Sequence, residues 1–181
     1  MTGASARGTN GGPDSLRIVG IDPGTQIIGF ALLEKKGSQV QFVEAGVIRA
    51  PRGAHIAARL RKIYEGLLEV IRRTEPDVVV VEQAFFGKSV RDALRIGEGR
   101  GIALLAAGTF NLPVAEYAPA QVKKAATGNG RARKSQVQDM VRRMLDLKEI
   151  PPPDAADAIA IALCHCHRSA LNERIGVEAK S

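Results

Sequence analysis

The chain has 181 residues, enough for one domain with a sizeable core and short for two. Its 45% hydrophobic and 25% charged contents are ordinary for a soluble globular protein, and no run approaches the ~18 apolar residues of a membrane span. A formal net charge of +7 and a pI of about 9.8 point to a polyanionic partner, nucleic acid first, with a merely solvated basic surface as the alternative.

Residues 1–15 are rich in Gly, Ser, Thr, Ala and Asn and lack the apolar core of a signal peptide, so they are expected as a disordered tail. Cys164 and Cys166 lie too close together to staple a fold, and the protein reads as cytoplasmic. The folded domain is expected over residues 16–172, with a short tail at 173–181.

β-Branched Ile18, Val19 and Ile21 predict a buried strand that ends at Asp22, where Pro23 and Gly24 force a bend. A carboxylate in so apolar a setting calls for compensation, by a divalent cation or by nothing more than the turn it caps. Ile27–Glu34 and Gln39–Ile48 predict two further strands, joined in a hairpin through Lys35-Lys36-Gly37-Ser38. His55–Thr74 switches to helical period, with Ile56, Leu60, Ile63, Leu67 and Ile71 on one stripe, and Glu75-Pro76 ends it. Val78 to Val81 form a continuous apolar run that ends in a second carboxylate, Glu82.

Ser89–Thr109 predicts a helix interrupted by Gly97, Gly99, Gly101 and Gly108, a pattern that suggests close approach of another helix or a ligand. Pro113–Tyr117 reads as a short strand, Pro119–Ala125 as a helix, and residues 127–130 as a loop. Lys134–Leu147 is amphipathic, with Val137, Met140, Val141 and Met144 on one side. After the break at Pro151-Pro152-Pro153, a last helix runs from Asp154 to about Ala170 and is apolar nearly all round from Ala158 to Leu163. This order predicts an α/β fold: a mixed five-stranded sheet, three antiparallel strands then two parallel, with helices on both faces. Its first and fourth strands would lie side by side at the switch point, bringing Asp22 and Glu82 together.

Asp154 and Asp157 share one face of the last helix at its first turn, where they serve either that helix end or a site. With Asp22 and Glu82 they make four carboxylates, an all-oxygen set suited to Mg²⁺ or Mn²⁺. Two such ions would support phosphodiester hydrolysis by an activated water, with no Ser, Cys or His nucleophile. Two other signals fail. Residues 128–135 lack the Gly that a phosphate-binding P-loop needs before its Lys, where Arg133 stands. Cys164-His165-Cys166-His167 point about 100° apart along a helix and cannot converge on one metal, so a buried thiol and a helix-end His are expected.

Five segments carry a family resemblance: Gly20-Ile21-Asp22-Pro23-Gly24, Val81-Glu82-Gln83-Ala84-Phe85, Gln121-Val122-Lys123-Lys124, Lys134-Ser135-Gln136-Val137-Gln138, and Asp154 through Ala160. In this order, over about residues 17–168, they resemble the signature blocks of the bacterial RuvC Holliday-junction endonucleases. The resemblance implies a ribonuclease-H-like fold and a homodimer that makes paired, Mg²⁺-dependent nicks in four-way DNA junctions. It implies Asp22, Glu82, Asp154 and Asp157 as catalytic metal ligands, with Asp154 standing where some relatives carry His. It also implies coupling to the RuvA–RuvB branch-migration proteins, a base contact by Phe85, and DNA handling by Lys123 and Lys134.

Beside Phe85, the basic residues Lys88, Arg91 and Arg95 would extend a DNA-binding rim, and Lys123, Lys124, Arg131, Arg133 and Lys134 form a second cluster. Ser135 and Gln136 could add hydrogen bonds to the DNA backbone. The helix at 89–109 is the candidate dimer contact. Two rivals keep part of this picture: an actin- or sugar-kinase-like phosphotransferase built on Asp22-Pro23-Gly24-Thr25, and a junction-binding protein without catalysis. The first needs a second lobe for which the chain has no room, and the second gives no reason to keep four carboxylates.

Overall fold

A computed structural model describes residues 15–83 and 90–175, with side chains described over 15–83 and 93–168. Five strands form one sheet in the order β3-β2-β1-β4-β5. They are β1 (Ser15–Asp22), β2 (Ile27–Lys36), β3 (Gln39–Arg49), β4 (Val78–Glu82) and β5 (Val114–Tyr117). β1, β2 and β3 are antiparallel neighbours, whereas β4 pairs in parallel with both β1 and β5. The expected mixed sheet with helices on both faces is what forms.

Side chains alternate across the sheet and divide the core in two. On one face Val19, Ile21, Val79 and Val81 pack with α1 (Ile56–Thr74) and α2 (Val90–Thr109). On the other, Ile18, Val78 and Val80 pack with α3 (Pro119–Thr127), α4 (Lys134–Met144) and α5 (Pro153–Ile175). The apolar run Ala158–Leu163 is fully buried, as expected of a helix laid across the middle of a sheet.

Local chemistry moves several boundaries. The hairpin turn shrinks to Gly37-Ser38, with Gly37 at φ 56°, and Lys35 stays inside β2 as a buried residue. On α1 the stripe begins later than expected: Ile63, Leu67, Val70, Ile71 and Thr74 are buried, while Ile56 and Leu60 are half-buried at the exposed helix start. His55 is the N-cap of α1, its Nδ1 accepting from the Ala57 N–H at 3.4 Å. Helix α3 extends to Thr127 because Gly128, at φ 76°, supplies the left-handed cap. α4 stops at Met144, which is 39% exposed and so leaves the expected apolar face. α5 continues to Ile175, past the expected end at Ala170.

Candidate active site

The parallel register pairs Ile21 with Val81, so the next residues, Asp22 and Glu82, end adjacent strands about 4.8 Å apart. Alternation then decides where they point. Ile21 and Val81 face α1 and α2, so the carboxylates that follow them face α5. Helix α5 begins at Pro153 and presents Asp154 from its first turn, with Asp157 three residues on along that same face. All four sequence-predicted acids therefore meet at the carboxyl ends of the central strands.

Glycine makes this meeting possible, and sequence reasoning passed over it. A Cβ on Gly29, the residue paired with Asp22 across β1 and β2, would stand 2.0 Å from the carbonyl oxygen of Asp154. One on Gly20 would stand 2.3 Å from the carbonyl oxygen of Ala158. The backbone of α5 rests directly on the two strands at these points, which fixes the depth of its acidic first turn. An isolated Gly inside a strand pattern was the available signal for such an approach. Gly99 of α2 does the same from the other face: its Cβ would meet the Gly24 backbone at 2.9 Å, just after Asp22. Gly97, Gly101 and Gly108 instead face open space, and the one close approach among the α2 glycines, at Gly99, is to the turn after β1 rather than to the helix or ligand expected.

The clustering has an electrostatic cost that falls on Asp22. Burial first, then the charges of Asp157 and Glu82, push its carboxyl up from 3.8 to about 7, against a smaller opposing effect from Lys134. Glu82 is also raised, chiefly by burial and then by Asp157, while Lys134 and Lys123 pull it down. Lys134, the first residue of α4, donates from Nζ to Asp157 Oδ2 at 2.8 Å, and this bond leads the causes that raise its own pKa. Among the described residues no three His, Cys, Asp or Glu side chains sit tightly enough to hold a metal as they stand. The donor set nevertheless fits a hard cation: it is all oxygen, and its innermost member resists ionisation until positive charge arrives.

The basic residues separate into groups. Lys123 on α3 and Lys134 are within electrostatic reach of Glu82. Lys124 is exposed on α3, and Arg131 is exposed in the loop that follows, its N–H donating to Asn129 Oδ1 at 2.9 Å. Phe85, Lys88 and Arg91 were also expected at the DNA surface, and their side chains lie outside the described residues. Gln136, considered for DNA contact, accepts the Arg133 N–H through Oε1 at 2.8 Å and closes the start of α4; Gln121 does the same for Ala118 at 2.9 Å. The cysteines are buried thiols not joined in a disulfide, Cys164 pushed up to about 11 and Cys166 to about 12, chiefly by burial. His165 is not at a helix end: it lies mid-helix, half-buried, with Nδ1 2.9 Å from the Tyr117 hydroxyl.

The chain matches the family model described as crossover junction endodeoxyribonuclease RuvC over residues 18–165. It is 47% identical to the protein of that name from Desulforamulus reducens, over 84% of this chain and 94% of the relative. It is 45% identical to the one from Chloroflexus aggregans, over 90% of this chain and 99% of the relative. Among solved structures, Thermus thermophilus RuvC in complex with a Holliday junction substrate superposes with a TM-score of 0.78 at 36% identity, covering 90% of this chain and 97% of that one. The yeast mitochondrial Holliday junction resolvase Ydc2 shares the fold at 15% identity, with a TM-score of 0.64 over 89% of this chain and 84% of that one. Among the described residues no helix is long and apolar enough to cross a membrane. With the family model matched across sheet and helices alike, the chain belongs to the RuvC family of crossover junction endodeoxyribonucleases.

Proposed function

We propose that this protein resolves four-way DNA junctions by Mg²⁺-dependent hydrolysis of one phosphodiester in each of two opposed strands, leaving 5′-phosphate and 3′-hydroxyl ends. The observation that carries the proposal is the convergence of two strand-end carboxylates, Asp22 and Glu82, with Asp154 and Asp157 on one sheet face. These four side chains would hold two Mg²⁺ ions, with Mn²⁺ an acceptable substitute for the same oxygen donors. When bound, the cations supply the charge neutralisation and Lewis acidity that in-line hydrolysis requires.

The chain's own residues bind and orient the DNA. Lys134, with its side chain 72% exposed, is free to turn from Asp157 to a phosphate once cations occupy the carboxylates. Lys123 lines the same approach and Lys124 and Arg131 extend the contact outward, while Lys88 is assigned a DNA contact and Phe85 a stacking contact with a base freed at the junction. Paired cutting follows from a twofold dimer, which presents identical sites to equivalent strands. The exposed face of α2 suits that contact: Leu94 and Leu105 are 64% and 55% exposed, and Gly97 and Gly101 have open space in front of them. Family membership supports RuvA and RuvB as partners and the bacterial cytoplasm as the location.

The test is cleavage of a synthetic four-way junction and of a linear duplex of the same sequence, with Mg²⁺ and with EDTA. Symmetric nicks in the junction alone, abolished by EDTA and by Asp22→Asn, are the expected result. Wild-type rates from Asp22→Asn would overturn the site assignment, and binding without cleavage would leave a junction-binding protein.

A further inference from the structure

The loop between β3 and α1 and the turn after Asp22 together form a cleft of about 420 Å³, whose lining includes Gln26, Ile27, Arg49, Arg52, Gly53 and Arg59. It lies at the active-site end of the sheet. β3 runs antiparallel to β2 and therefore in the direction of β1, so Arg49 ends its strand on the side where Asp22 ends β1. The Ala50 N–H donates to the Gln26 carbonyl at 2.9 Å, joining this loop to the turn that follows Asp22. Gly53, at φ 72°, turns the chain beside Arg52, and α1 then supplies Arg59 with no acidic residue in its first turn.

Three arginines and no acid line the cleft. Arg59 is partly buried, and among the described residues its Nε is a buried donor with no hydrogen-bond partner. A guanidinium N–H taken out of water keeps its desolvation cost until an acceptor arrives. The planar forks of several guanidinium groups match the oxygens of a phosphate, and the cleft is roomy enough for a sugar-phosphate unit rather than a lone ion. Two interstrand spacings separate β3 from β1, about 10 Å. A duplex lying along that line advances the same distance in about three base steps, at about 3.4 Å of axial rise each.

We propose that the Arg49–Arg52–Arg59 cleft is a phosphate-binding site that grips the DNA backbone about three nucleotides from the scissile bond. It thereby fixes the path of that strand into the carboxylates. This rests on the nuclease reading above. The carboxylates and Lys134 bear on the scissile phosphate, and a second fixed phosphate farther along the sheet edge adds a constraint on the direction of the strand.

The experiment is a binding cycle between protein and DNA. Junctions carrying one neutral methylphosphonate, placed in turn at one to six nucleotides on either side of the cut, are titrated with the full-length protein in EDTA at 0.1 M salt. Wild type and Arg59→Gln are compared. Removing one phosphate contact is expected to weaken binding about eightfold at this salt and to lower the log–log salt slope by about 1. Wild type should show that loss at one linkage near the third nucleotide, while Arg59→Gln, already weakened, loses less than twofold there. Equal losses in both proteins at every linkage would overturn the proposal. So would protection of wild type by inorganic phosphate without any such coupling, which would assign the cleft to a free anion. Should Arg59→Gln fold poorly, Arg52→Gln in the exposed loop carries the same cycle. If wild type neither binds the unmodified junction nor cleaves it with Mg²⁺, the nuclease reading itself has failed, a result distinct from uncoupled binding.

Discussion

Replacing Asp22 by Asn should make the metal-free protein more stable while removing its activity. The Asp22 carboxyl stands at 3.8 ordinarily and at about 7 in the fold, so the folded state disfavours its ionised form. The penalty is absent below the unfolded value, grows from pH 3.8 to pH 7, and is complete above that. A difference of about 3 units corresponds to an upper bound of about 4 kcal/mol. The buried amide of Asn needs partners of its own, which takes back about 1–3 kcal/mol and leaves a net gain of about 2. For a domain of this size that raises Tm by about 4–8 °C. Thermal melts in EDTA at pH 8 and pH 5 measure it, and the gap between variant and wild type should narrow at the lower pH. Saturating Mg²⁺ should close the gap at pH 8 by stabilising wild type alone. An Asn variant that melts at or below wild type in EDTA at pH 8, or a gap indifferent to pH, would refute the idea that the carboxylates strain the empty fold.

Gly29→Ala drives a methyl group into the Asp154 carbonyl, so it should lower Tm by several degrees and cut junction cleavage at least tenfold by displacing the first turn of α5. A circular-dichroism melt paired with a cleavage time course reads both effects. Lys134→Gln removes the ammonium that opposes the raised pKa of Asp22 and Glu82; because that side chain is exposed, the stability cost in EDTA should stay below about 1 kcal/mol, while single-turnover cleavage falls far more. Leu105→Asp on the exposed face of α2 should shift the protein toward monomer in sedimentation and uncouple the two nicks on a supercoiled cruciform substrate. Cys164 and Cys166, both buried, should resist iodoacetamide at pH 8 until denaturant unfolds the chain.

What the sequence disclosed follows a physical division. Apolar runs such as Val78–Val81 signal a buried strand by composition alone, and the carboxylate that terminates each run marks the sheet end. The pairing of Asp22 with Glu82 is therefore legible in the order of residues along the chain. Side-chain contacts that no strand pairing dictates carried no such mark. Lys134 reaches Asp157 across 23 positions, and neither residue announces the other. Boundaries failed where a cap or a solvent-facing turn outweighed periodicity, as at Met144, where an apolar residue at the right spacing lies beyond the edge of the core. The Arg59 cleft was equally invisible, because an arginine in an amphipathic helix reads as a solvated charge until its Nε is found buried.

The glycines resolve a conflict in how such a site can be built. Four carboxylates repel, and the buried one is driven to about 7, so side-chain attraction cannot draw α5 to the strand ends. The assembly has to be held by something else, and apolar packing supplies it: Ala158, Ile159, Ala160, Ile161, Ala162 and Leu163 are all buried against the sheet and the neighbouring helices. Packing sets only where the helix lies, however, and Gly20 and Gly29 set how deep. With any side chain at either position the helix would have to ride higher, which would relieve the repulsion and spread the carboxylates. The glycines thus spend stability on proximity, and a cation that arrives at the cluster has only to draw in carboxylates that a core independent of it already keeps at one end of the sheet.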